Sequence, residues 1–207
     1  MTMKDYSTYF EGKDWVHQLG FCAPDWRAFM TAHNRLFGSG PFFYTTNTFG
    51  KLLYHGEEVD CKGLEFHACY GAWGSHSIEV VTQNDWSIPT MFTELNKEEE
   101  PGLNHVHIFV DSLAEAQDAC DFLDVITVGY PDLENALEKA RATGTDEAMV
   151  RANAGKPSFM VADMRKDLGF AVQFVEPRAK NLHDAIIGAR EKWDGSQETM
   201  FIPMGGR

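Results

Sequence analysis

Residues 18–26 read QLGFCAPDW, and residues 105–113 read HVHIFVDSL. Each is a short apolar run with strand-like alternation, and each then reaches residues suited to opening a helix. The two begin 87 positions apart (105 less 18). A second pair matches in the same way: SIEVVTQ at 77–83 and AVQFVEP at 171–177, which place Glu79 and Gln173 in equivalent positions 94 apart (173 less 79). Self-similarity at a nearly fixed offset marks a duplicated unit.

The segments around these anchors repeat in one order. After the first anchor strand, Pro24 suits a first helical turn and Asp25 adds negative charge at the helix N-terminus. Trp26, Phe29, Met30, His33 and Phe37 then follow at helical spacing until Gly38 stops the run. GSGPFFYTTNTF reads as a second strand, and residues 64–72 and 76–82 read as a hairpin. A polar loop spans 84–102. In the second unit, Ser112 and Glu115 form a capping-box pattern ahead of Leu113, Ala116, Ala119, Cys120 and Leu123. ITVGY, SFMVAD and FAVQFVEP read as strands, with an Ala-, Glu- and Arg-rich helical insertion at 131–156. An amphipathic helix over 178–193 precedes a Gly-rich tail. The fold class this predicts is α+β, with two tandem βαβββ modules at about 15–83 and 103–177. Neither module buries both sheet faces alone, so the two pack as a single domain over 1–207.

The 207 residues carry 43% apolar and 24% charged side chains, which fits a globular chain and excludes wholesale disorder, collagen and coiled coil. Lys and Arg total 18 against 31 Asp and Glu, a formal charge of −13. So acidic a surface repels phosphate backbones and anionic lipid, which argues against nucleic-acid or membrane partners. The four cysteines lie apart with no CxxC pair, no run reaches 18 apolar residues, and the N-terminus lacks a signal-peptide pattern. The expectation is a cytoplasmic protein with reduced thiols.

The same motifs, in the order QLGFCAPD, GSGPFF, IEVV, GLNHVHIFVDSLAEA and DMRKDLGFAVQFVEP, resemble the vicinal oxygen chelate superfamily, and its glyoxalase-like branch in particular. The superfamily also holds bleomycin-resistance proteins and extradiol dioxygenases. The resemblance implies an incomplete barrel around a concave pocket, and one divalent ion (Mn, Fe, Co, Ni, Zn or Mg) per chain. The ligands it implies are Gln18, Glu79, His105 and Gln173. Gln173 is a departure, because the family usually has Glu in that last strand. A set with one carboxylate should hold metal more weakly than a set with two.

Other residues are read from position. His107 follows His105 by two, so both point to one face of a strand. It is either a general base or substrate-orienting group, or a core histidine satisfied by a backbone carbonyl. Tyr70 opposes Glu79 if the hairpin turn is Gly74-Ser75, and His67 takes that place if the turn has three central residues. Phe42 and Phe43, after the GSGP turn, are candidates for an apolar pocket wall. His17 neighbours Gln18 and is expected in the opposite layer.

The resemblance implies a metal-dependent isomerase or lyase that stabilises an enolate-like intermediate of a small aromatic or acyl substrate, with Glu79 and His107 as catalytic candidates. A two-base epimerase is disfavoured by Gln173, and ring-cleaving dioxygenase chemistry by the single histidine of the set. The alternative from another class is a metal-free binding protein of the bleomycin-resistance type. Open sheet edges and apolar helix faces lead us to expect a homodimer.

Overall fold

The computed structural model describes residues 16–119, 124–143, 146–177 and 180–204. The expected residues Cys120 and Leu123, and the start of the last helix at 178–179, lie outside that set.

Among the described residues, eleven strands form one curved sheet: β1 (Gln18–Cys22), β2 (Phe42–Asn47), β3 (Phe49–Tyr54), β4 (Glu57–Val59), β5 (Phe66–Trp73), β6 (His76–Gln83), β7 (Gly102–Phe109), β8 (Asp124–Pro131), β9 (Phe159–Asp163), β10 (Ala171–Val175) and β11 (Phe201–Pro203). Their order across the sheet is β11-β2-β5-β6-β1-β7-β10-β9-β8-β3-β4. The first and second anchor stretches, β1 and β7, lie side by side and antiparallel at its centre. On one side of this seam run β6, β5 and β2; on the other run β10, β9 and β8. Strand β3 crosses from the first half of the chain to pair with β8 of the second.

Helix α1 (Trp26–Phe37) forms where expected. Asp25 accepts from the amides of Arg27 and Ala28, and Gly38 ends the helix in the left-handed conformation that glycine adopts at low cost. Its Met30 packs with Phe42, Cys69, Ile78 and Val80 on one face of the sheet. Helix α3 (Leu113–Ala119) covers Val106, Val172 and Phe174 of the other half on the same principle. The opposite face is concave, and its core holds Leu52, Phe66, Val81, Phe92 and Val161.

Helix α2 (Met91–Leu95) sits over that concave face, capped by Thr90 and held where the Met91 amide donates to Thr127 Oγ1 at 3.0 Å. The insertion folds as α4 (Leu133–Thr143) and α5 (Glu147–Ala152). A short α6 (Arg165–Leu168) links β9 to β10, and α7 (Lys180–Lys192) packs on β5 and β6.

The stretch between the second expected strand and the 64–82 hairpin is not loop. Residues 49–59 form the β3–β4 hairpin, turning at His55 (φ 46°) and Gly56 (φ 82°). The hairpin pairing of β5 with β6 runs Trp73↔His76 and Tyr70↔Glu79, so the turn is Gly74-Ser75. Among the described residues no helix is long and apolar enough to cross a membrane.

Candidate functional site

Strand pairing at the seam arranges the candidate residues in two rows. One row runs Glu79, Gly20, His105, Ala171 across β6, β1, β7 and β10; the row beside it runs Ser77, Gln18, His107, Gln173. The rows are two residues apart, so all these side chains stand on one face. A half-turn about the seam exchanges the rows: Glu79 with Gln173, His105 with Gln18, and Gly20 with His107. The two rows differ most at that last pair.

Gly20 has a steric reason to be glycine. A Cβ there would lie 2.2 Å from both Cε1 and Nε2 of His105. Because the space is open, the imidazole lies across Gly20 and reaches the strand beyond. Its Nε2 comes 3.5 Å from Glu79 Oε2. In the other row His107 occupies the equivalent place, between Gln18 and Gln173.

The His105 tautomer follows from its neighbours. Asn104 Nδ2 donates to Asn96 Oδ1 at 2.6 Å and to the Met91 carbonyl at 3.3 Å, so Asn104 Oδ1 is the acceptor for His105 Nδ1 at 2.8 Å. With the proton assigned to Nδ1, the Nε2 lone pair faces the Glu79 carboxylate. Nε2 is buried and has no hydrogen-bond partner. Two facing lone pairs need a cation or a proton between them. An imidazole whose second N–H is fixed on an oxygen is the arrangement metal-ligating histidines use.

Glu79 is only 8% exposed. Opposite it on β5 stands Tyr70, whose side chain hydrogen-bonds both Glu79 and Asn47; burial first, then the Glu79 charge, pushes the phenol well above the usual tyrosine range. Tyr70 therefore stays protonated and donates to the carboxylate. Asn47 Oδ1 is taken by Lys139 Nζ, so its N–H₂ is left to donate to the phenol oxygen. Lys139, Asn47, Tyr70, Glu79, His105 and Asn104 thus form a polar line on the face that also carries Gln18, His107 and Gln173.

These groups border a cavity of about 330 Å³, walled by Phe49, Leu52, Phe66, Val81, Met91 and Phe92. Gln18, Glu79, His107 and Gln173 all reach it, and Glu79 is the one carboxylate among its described lining residues. His105 sits fully buried behind Glu79, outside the lining. His107 is 6% exposed, and neither ring nitrogen finds a hydrogen-bond partner, so the expected alternative of a carbonyl-satisfied core histidine does not hold. Burial, then the charges of His105, His17 and His183, push its pKa down to about 3.

The donor chemistry fits a divalent ion on one side only. His105 Nε2 and Glu79 Oε2 are ready ligands, whereas Gln18 and Gln173 offer neutral amide oxygens. Among the described residues, no three His, Cys, Asp or Glu side chains group closely enough to hold an ion by themselves. An ion here would depend on the two amides.

Several expectations are corrected. His67 pairs with Thr82, one residue out of phase with Tyr70, so it faces the other side and bonds Thr46 Oγ1 beside a second cavity. Phe42 is fully buried in the α1 layer, opposite Gly71, and is core. Phe43 is on the concave face opposite Tyr70 but outside the cavity lining. His17 precedes β1, so strand alternation does not govern it; its ring sits 4.5 Å from Phe109 and 5.4 Å from His183. Lys139, Asn47 and Asn104 were not anticipated, because only tertiary packing brings them to the site.

Comparison with solved structures gives one recurrent name. The chain is similar to methylmalonyl-CoA epimerases. That from Mycobacterium tuberculosis is 12% identical over 82% of this chain and 92% of its own, with a TM-score of 0.45. The Streptomyces coelicolor epimerase in complex with 2-nitronate-propionyl-CoA is 11% identical over 79% and 97%, at 0.38. A hypothetical protein from Bacillus halodurans C-125 is 13% identical over 78% and 93%, at 0.42. No family model matches, and no curated protein matches.

Proposed function

We propose that this chain is a single-domain, metal-dependent isomerase or lyase with one catalytic base, acting on a small acyl or aromatic carbonyl compound. The observation that carries this is Glu79: a buried carboxylate, alone of its kind in an apolar cavity, held between a protonated phenol and an imidazole lone pair. Burial among apolar walls strengthens every charge interaction a bound carbonyl compound would feel. Glu79 is the group that takes a proton from the carbon next to the carbonyl. Tyr70 orients that carboxylate through its O–H, and His105, fixed by Asn104, faces the second oxygen with the Nε2 lone pair that would bind the ion. His105, Glu79, Gln18 and Gln173 are the residues that would hold the ion. A bound divalent ion supplies positive charge to offset the oxygen anion of an enolate. Gln173 and the neutral His107 take no proton, so both transfers fall to the Glu79 side.

The experiment combines metal content with proton exchange. Purified protein is loaded with Mn²⁺ or Zn²⁺, and carbonyl compounds are incubated with it in D₂O. The expected result is deuterium entering the carbon beside the carbonyl, lost in Glu79→Gln and in the chelator-treated protein. A second reading, a metal-free binding protein, is favoured by the neutral amides at Gln18 and Gln173. It predicts ligand binding with no metal uptake and no exchange in any variant. The homodimer is part of this proposal; light scattering at tens of micromolar should give twice 23.3 kDa, and a monomeric mass would refute it.

A further inference from the structure

Helix α2 reaches His105 through Asn104. The Asn104 side chain is oriented by two acceptors on or next to this helix, the Met91 carbonyl and Asn96 Oδ1. Gly102 leaves the room that Asn96 occupies, since a Cβ there would lie 2.8 Å from Asn96 Nδ2. Turned this way, Asn104 presents its Oδ1 to His105. The same helix lends Met91 and Phe92 to the cavity wall. Whatever fixes α2 therefore fixes both the wall and the histidine.

A helix of five residues does not hold itself. The N-terminal end of α2 is tied by uncharged bonds: Thr90 Oγ1 donates to Gln83 Oε1 at 2.6 Å, and the Met91 amide to Thr127 Oγ1 at 3.0 Å. Towards its C-terminal end the tie is ionic and runs through Glu94. One Glu94 oxygen accepts from Arg165 Nη2 at 2.7 Å and the other from His55 Nε2 at 2.8 Å, and the Tyr54 hydroxyl bonds the same carboxylate. Arg165 is itself fixed on Asp163, through Nε at 2.9 Å and Nη2 at 2.6 Å.

His55 lies between two carboxylates, with Nδ1 2.9 Å from Asp124 Oδ1 and Nε2 on Glu94. A carboxylate only accepts, so both ring nitrogens carry protons and the imidazole is a cation. The Glu94 bond first, and then Asp124 against the opposing effect of partial burial, raise its pKa above 6.5. The Tyr54 ring lies 4.5 Å from the imidazole, the charge of Asp163 also reaches it, and Arg165 faces it across Glu94. Among the described residues His55 alone, glycines aside, has a positive φ, 46°, a conformation that these bonds help to hold.

We propose that Glu94 is a positioning residue for the His105 centre and that charged His55 is the clasp on it, holding α2 and the Asn104–His105 pair at low pH and slackening as rising pH removes one imidazole proton. The raised value sets the direction: the clasp is complete at pH 6 and is lost as pH climbs through the His55 pKa. On deprotonation one ring nitrogen turns a lone pair towards a carboxylate, so an attraction becomes a repulsion. The inference rests on the concave site being the functional centre, as proposed above, but needs neither catalysis nor a bound ion.

Hydrogen exchange followed by NMR tests it, on the full chain with chelator and no substrate, at pH 6 and pH 9. Expressing the rates as protection removes the ordinary base dependence of exchange, and the β1–β7 backbone amides serve as internal reference. The Glu94 and Asn96 amides, the Asn104 side-chain amide and the His105 Nδ1 proton should each lose protection by about threefold at the higher pH, the scale of a half-exposed ion pair. His55→Asn suits the left-handed turn and does not titrate, so it should show the lower protection at both pH values. Glu94→Gln should do the same. Asp124→Asn serves if His55→Asn does not fold, and should move the loss to lower pH. Wild-type protection that stays flat from pH 6 to pH 9, or a loss that persists in His55→Asn, overturns the inference. Loosening of α2 that leaves Asn104 and His105 unchanged overturns the positioning role. Flat protection together with Glu79-dependent deuterium exchange into a carbonyl compound would overturn this inference alone. The expected loss without such exchange would overturn only the catalytic reading.

Discussion

Gly20→Ala is the sharpest probe of the seam, because the only atom it adds is aimed at a ring that has nowhere to go. The new methyl would stand 2.2 Å from His105 Cε1 and Nε2, and 2.7 Å from Cδ2. His105 is fully buried, and Asn104 holds its Nδ1 at 2.8 Å. Moving the ring means overpacking, about 1–3 kcal/mol, and straining the Asn104 bond, about 1 kcal/mol more. A loss of about 3 kcal/mol corresponds to a melting temperature lower by roughly 6–12 °C in a chain of this size. It also breaks the 3.5 Å approach to Glu79, so metal uptake should fall with stability. The control is Gly188→Ala, in the middle of α7, where a new Cβ meets nothing within 4 Å. It should stabilise by about 0.5–1 kcal/mol, since alanine holds a helix better than glycine. Calorimetry of the three proteins, with imidazole chemical shifts by NMR, measures both effects. Gly20→Ala melting within about 2 °C of the wild type, with the His105 shifts unmoved, would refute the reasoning.

Three further outcomes are expected. Gln173→Glu should bind Mn²⁺ or Zn²⁺ at least tenfold more tightly, about 1.4 kcal/mol, by adding a second carboxylate, and His105→Ala should abolish binding; titration of chelator-treated protein decides. The lowered pKa of His107, about 3 against an ordinary 6.5, means the unfolded chain binds the extra proton between those values. Stability contributed by neutral His107 is therefore full above pH 6.5 and is lost as pH falls, by up to about 1.4 kcal/mol per pH unit. His107→Gln should flatten the slope of urea stability between pH 6 and 4, and an unchanged slope would count against it. Burial pushes the Cys22 thiol up to about 12 and raises Cys69 as well, so neither should react with a thiol reagent at pH 8 before unfolding; peptide mapping checks this.

How much of this was legible in the sequence depends on which interactions set each part. β1, β6, β7 and β10 were legible because their alternation and β-branched residues are local, and the duplication doubled the signal. The β3–β4 hairpin was not, because its His55-Gly56 turn lacks an Asn-Gly or Asp-Gly signature and β3 pairs with a strand more than 70 residues away. Gln18, Glu79 and Gln173 were found through the resemblance of their motifs to the family's ligand positions, and His107 because strand parity puts it on the face of His105. The choice between Tyr70 and His67 hung on one residue of turn length, which only the register settles. Lys139 could not be found at all. In LENALEKARAT it reads as one more charge on a solvated face, and only docking of α4 against Thr46, Asn47 and Thr48 turns it inward.

The exchange of Gly20 for His107 across the seam also decides what kind of chemistry the site can support. A symmetrical pair of rows would give two carboxylates, two imidazoles and an open centre, and therefore a proton acceptor on each side of a bound carbon. Here one row is open at Gly20 and lets His105 meet Glu79. The other is closed by an imidazole whose nitrogens find no partner and whose burial keeps it neutral. Gln173, where the other row has Glu79, has no proton to accept. The ability to move protons is thus confined to one side, with Tyr70 to hold it and Asn104 to brace it. Restoring only the carboxylate, as in Gln173→Glu, gives stronger ion binding without a second working base, because His107 still fills the gap that Gly20 leaves open. Converting the site to two-base chemistry needs His107→Gly as well. The double variant should exchange deuterium into both faces of a substrate carbon, where the wild type labels one. If the double variant still labels a single face, the seam asymmetry is not what restricts the chemistry.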